Sequence, residues 1–96
     1  RSKAEAAWAA QAGLLGASAV AYEALTLRFG LLRYTPDFVL VIDGRIELVE
    51  VKGGYQWAKD RVRFKAAAHA FPMFPLTVWA LVKGKWQKEV ISDGKR

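Results

Sequence analysis

The stretch TPDFVLVIDGRIELVEVKGG, residues 35–54, decides the fold. DFVLVI and RIELVEVK are two β-rich runs flanking Asp43-Gly44, a strong signal for a two-residue hairpin turn, and Pro36 and Gly53-Gly54 bound them. If Asp43 and Gly44 are the loop, Ile42 faces Arg45, and Asp37 stands directly opposite Glu50. Opposed residues on antiparallel strands point to the same side with Cβ atoms about 4.5–5.5 Å apart, and like charges so placed repel. Alternation puts Val39, Val41, Ile46, Leu48 and Lys52 on that same face. Two carboxylates and an amine therefore gather at one end of an apolar surface. A four-residue loop keeps this register, whereas an odd-length loop or a bulge sends one carboxylate to the other face.

Such a cluster raises at least one carboxylate pKa unless a cation lies between the two, and a divalent ion relieves the repulsion. The bland alternative is a Glu50 to Lys52 ion pair at a fraying strand end, with Asp37 capping a turn after Pro36. The geometry fits a metal better than decoration.

Outward from the hairpin, SKAEAAWAAQAGLL predicts a helix over about residues 3–15, with Glu5, Trp8, Ala12 and Leu15 on one face. VAYEALTLRFG reads as a strand because LTLRF alternates and Gly30 closes it. From about Gln56 to Ala70 the pattern is helical until Pro72 stops it, with Trp57, Phe64, Ala68 and Phe71 along one side. LTVWALV then reads as a buried strand, and KGKWQKEVI as a turn and a last strand. The order is helix, three strands, helix, then one or two strands. A helix between the third and fourth strands implies a crossover, hence an α/β fold with helices packed on a mixed sheet.

The 96 residues suffice for a single domain over 1–96, and the 53% hydrophobic fraction argues for a folded chain. The absence of an apolar run near eighteen residues and of a secretory pattern leads to the expectation of a soluble, cytoplasmic protein. With no Cys and one His, thiolate and histidine-clustered metal sites are excluded. Any metal must be held by carboxylates, which select hard cations such as Mg²⁺ or Mn²⁺. Fifteen Lys and Arg against nine Asp and Glu give a net charge of +6, which favours a polyanionic partner over a merely solubilising surface. The chain opens at Arg1 rather than Met, so an upstream segment is expected.

Pro36-Asp37 followed by Glu50-Val51-Lys52 resembles the motif of the PD-(D/E)xK nuclease superfamily. More widely, residues 2 to about 82 resemble small phage nucleases of the endonuclease I and Holliday-junction resolvase class. The resemblance implies a restriction-endonuclease-like core of helix, three-stranded antiparallel meander, helix and strand, here with an extra C-terminal strand. It implies a Mg²⁺- or Mn²⁺-dependent DNA endonuclease, in a bacterial or phage-infected host cytoplasm, acting on branched DNA or in phage recombination and repair. Asp37, Glu50 and the backbone carbonyl of Val51 would hold the ion. Lys52 would position and deprotonate water or steady charge on the phosphate. A Glu on the first helix completes many such sites, and Glu5 matches it; Ser2 and Glu5 also have the spacing of a capping box, so both readings stand. Glu23 ranks below Glu5.

On the second helix Lys59, Arg61, Arg63 and Lys65 form a basic surface for DNA phosphates or, equally, a solvated face with Asp60 as partner. Lys65 follows the basic position common on that helix in the superfamily. His69 suits the helix C-terminus, and Trp57, Trp79 and Trp86 are core candidates before base-stacking ones. The competing functional reading is a non-catalytic nucleic-acid-binding module of the same fold. Cutting both strands calls for a homodimer.

Overall fold

A computed structural model describes residues 2–54 and 58–95. Trp57 and the expected helix start at Gln56 lie outside the described residues. Helix α1 (Lys3–Gln11) starts on a capping box: the Glu5 amide donates to Ser2 Oγ, and the Ser2 amide to Glu5 Oε1, both at 3.1 Å. It tightens into a 3₁₀ turn over Ala12–Leu15 that ends at Gly16. β1 (Ala19–Tyr22), β2 (Leu27–Phe29), β3 (Leu32–Tyr34), β4 (Phe38–Ile42) and β5 (Arg45–Lys52) precede helix α2 (Ala58–Ala70). β6 (Pro75–Val82) and β7 (Lys85–Asp93) complete the chain.

The main sheet has the order β1-β4-β5-β6-β7. β5 and β6 are parallel and joined through α2, and the other neighbours are antiparallel, so the sheet is mixed as expected. The expected single strand over VAYEALTLRF is two. Glu23 takes a positive φ of 49° and its amide donates to the Asp37 carbonyl at 2.9 Å, which ends β1 beside the start of β4. β2 then pairs only with β3, in a separate antiparallel ribbon turned by Gly30-Leu31. Gly30 has φ 61° at the first central position, the place where a type II′ hairpin turn demands a glycine-like backbone.

Each face of the sheet carries one helix. On the α1 side Ala4, Trp8 and Ala12 pack on Phe38, Leu40, Val49 and Val51. Trp8 is wholly buried, its ring centroid 4.8 Å from that of Phe38 and 6.1 Å from that of Trp79. On the α2 side Phe64 and Ala67 pack on Leu48, Leu76 and Val78, joined by Leu27 and Tyr34 of the ribbon. Burial of these side chains, at about 1.5–3 kcal/mol for each large one, is what fixes the helices to the sheet. No helix among the described residues is long and apolar enough to cross a membrane.

Candidate functional site

The Asp43-Gly44 turn has φ values of 52° and 75°, so both central residues are left-handed, as a type I′ hairpin requires. Phe38 pairs with Val49 and Ile42 with Arg45, so the register is the one the turn predicts. The ladder ends at Phe38 and Val49, and carried one residue further the register sets Asp37 across from Glu50. Asp37 sits just after the buried Pro36, and its Oδ2 accepts the Val51 amide at 2.9 Å. A side-chain carboxylate thus continues the contact where the β4 ladder ends.

Glu50 is 4% exposed, the only charged residue in the core among the described residues. Its Oε1 accepts a hydrogen bond from the Tyr34 hydroxyl at 2.6 Å, and the charge of Asp37 acts on its carboxyl. Desolvation, then the charge of Asp37, pushes the Glu50 carboxyl up to about 8, against the opposing pull of Tyr34 and Lys52. Desolvation also raises Asp37, against the Val51 amide, Glu50 and Lys52. At neutral pH Glu50 therefore holds a proton, as a desolvated carboxyl beside a second one does. Burial and repulsion push the Tyr34 phenol upward as well, so it remains a donor.

Lys52 lies on the same side of β5, and its Nζ is 2.8 Å from Asp60 Oδ2 on α2 and 5.5 Å from the Phe64 ring centroid. The Lys52 hydrogen bond holds the Asp60 carboxyl below its ordinary value. Arg63, one turn along α2, reaches Asp60 Oδ1 at 3.5 Å and lies 5.9 Å from the ring centroids of both Tyr34 and Phe64. Carboxyl pair, ammonium and guanidinium therefore meet on the α2 side of the sheet.

The other expected site residues divide. Glu5 forms the capping box and also accepts from the Tyr22 hydroxyl at 3.1 Å. Its charge contributes to raising Asp37, yet no set of three Asp, Glu or His groups suited to a metal occurs among the described residues. Glu23 is exposed at the bend after β1. Val51 meets the site through its amide, while its side chain is buried on the α1 face.

Of the basic residues on α2, Arg63 is the one beside the cluster. Arg61 forms a two-pronged ion pair with Glu89 on β7, its Nη2 to Oε1 distance 2.8 Å. Lys65 is exposed and its charge acts on Glu89, and Lys59 is exposed. Trp79 and Trp86 are half-buried against the α1-side core, in agreement with the core reading. His69 is exposed in the last turn of α2.

Sequence reasoning missed Tyr34, and raised Asp60 only as a partner for the helix's own bases. Their contacts cross between elements and leave no local signal, although Tyr34 lies in the alternating run Leu32-Arg33-Tyr34 beyond Gly30.

No family model matches the chain, and no curated protein matches it. Among solved structures it is similar to the crystal structure of SSO0001, with a TM-score of 0.55 at 12% identity over 92% of this chain and 49% of that one. The likeness is one of fold, and the chain spans about half the length of that protein.

Proposed function

We propose that the protein is a metal-dependent DNA endonuclease with a restriction-endonuclease-like core, in which β1, β4 and β5 form the meander and β6 follows α2. The observation that carries this reading is the buried Glu50 with the half-buried Asp37 beside it, its charge acting on Glu50, and Lys52 on the same side of β5. The donor set fits a hard divalent cation: it is all oxygen, and an ion beside Asp37 and Glu50 would displace the proton that Glu50 holds and relieve their repulsion. Asp37 and Glu50 would hold Mg²⁺ or Mn²⁺, with the Val51 amide orienting Asp37. Such an ion polarises a phosphoryl oxygen and lowers the pKa of water. Lys52 steadies negative charge on the phosphate, and Asp60 holds its ammonium in place.

Branched and linear duplexes incubated with Mg²⁺ or Mn²⁺ provide the test. Wild type is expected to cut at least one, and Lys52→Ala to cut neither. No cutting at high protein excess, or equal cutting by Lys52→Ala, sinks the proposal. Two-strand cleavage would call for a homodimer, which light scattering checks.

Glu5's engagement at the helix cap favours a second reading, a non-catalytic DNA-binding module. Under it, duplex affinity falls steeply with salt and is indifferent to Asp37→Asn, and no metal brings about cleavage.

A further inference from the structure

The β2–β3 ribbon has two unlike faces. Leu27, Phe29 and Tyr34 point inward and join the α2-side core. On the outer face Arg28 stands directly opposite Arg33, both exposed, and neither has an ion-pair partner among the described residues. At the tip Leu31 is fully exposed and Leu32 is 58% exposed. Like charges directly opposed across strands destabilise their pairing, and an apolar tip in water contributes nothing to the fold. Both costs fall on one short ribbon whose base reaches Glu50 through Tyr34.

We infer that the ribbon is a grip for duplex DNA, seated in the major groove, with Arg28 and Arg33 on the phosphates of one strand and Leu31 against the base edges. This rests on the nucleic-acid half of the functional reading and not on its chemistry. A two-stranded ribbon fits a groove about 12 Å wide. Guanidinium groups match phosphate oxygens in geometry and charge, and phosphate between the two arginines relieves their repulsion. The major groove of A-form RNA is too deep and narrow for a ribbon, so the partner is duplex DNA.

Fluorescence anisotropy of a labelled DNA duplex, with the full chain in EDTA so that nothing is cut, measures affinity against salt. R28A/R33A is expected to bind roughly tenfold more weakly near 0.1 M salt, with the slope of log affinity on log salt reduced by about 2. L31S should weaken binding a fewfold and leave the slope alone. The melting temperature of R28A/R33A should not fall, since a repulsive pair is removed, so lost binding cannot be lost folding. Wild-type affinity and slope in R28A/R33A would overturn the grip, as would equal competition by duplex RNA. A wild type that never cuts DNA yet shows the arginine-dependent slope refutes the nuclease and keeps the grip. One that cuts while R28A/R33A binds unchanged does the reverse.

Discussion

Two tyrosine hydroxyls in this chain donate to glutamates, and the two pairs differ in everything except their chemistry. Tyr22 donates to Glu5 at 3.1 Å beside the start of α1, where Glu5 also closes a capping box and the residues are only partly buried. Tyr34 donates to Glu50 at 2.6 Å, where both are buried and a second carboxyl stands against the first. Desolvation, with Glu5's help, pushes Tyr22 up to about 12, whereas Glu50 itself is displaced at the other pair. A carboxylate that water and a helix start can satisfy is a structural part. One that is buried beside a repulsive neighbour, as Glu50 is, is what the nuclease reading takes as its metal ligand.

The largest test of this contrast is catalytic. Under the nuclease reading E50Q should lower cleavage roughly 10³-fold, equivalent to about 4 kcal/mol of barrier, and E5Q by less than about tenfold. Equal losses measured on one duplex would make Glu5 a member of the site and dissolve the distinction.

The second test is a pH dependence in metal-free protein. Glu50 has an ordinary value of 4.5 when unfolded and about 8 when folded, so between these the folded state binds more protons. Unfolding free energy therefore falls as pH rises from 5 to 8, on the order of 3 kcal/mol, and levels off above. Denaturant titrations across that range should show the decline in wild type and a flatter profile in E50Q. An unchanged slope in E50Q would mean that another group titrates.

Smaller effects separate the two tyrosines. At pH 6, Y34F should cost about 1–3 kcal/mol because it strips a donor from a buried carboxyl, whereas Y22F should cost about 1 kcal/mol or less. Reversal of that order in thermal melts would contradict the burial contrast. Of the same small size, S2A should remove about 1 kcal/mol by opening the capping box, with cleavage unaffected.

The site was legible where chemistry and register are local. Asp43-Gly44 is among the dipeptides that most favour a two-residue hairpin turn, and that turn sets the register that puts Asp37 across from Glu50. Both helices and the β6–β7 hairpin followed from periodicity and from the Lys83-Gly84 turn, whose residues have φ of 52° and 75°. The break at Glu23 was hidden because a non-glycine residue takes a left-handed backbone there, and only the neighbouring Asp37 carbonyl explains it. The β2–β3 ribbon was hidden behind Gly30, read as an end when it is a turn. The partners of Lys52 and Arg61, namely Asp60 and Glu89, are side chains on other elements, which periodicity does not register.

The order of strands also has a kinetic meaning. β4 and β5 meet across a two-residue turn, whereas β5 meets β6 only after the chain has passed through α2. Hairpins close in about 1–10 µs, and pairings across a long loop come later. Asp37 and Glu50 therefore come together while water still screens them, and the low-dielectric walls arrive afterwards with α2 and β6. Ionising both carboxyls costs little when the hairpin nucleates and much only once the rest of the fold encloses Glu50, which then takes up a proton. Variants such as E50Q should accordingly slow unfolding more than they speed folding.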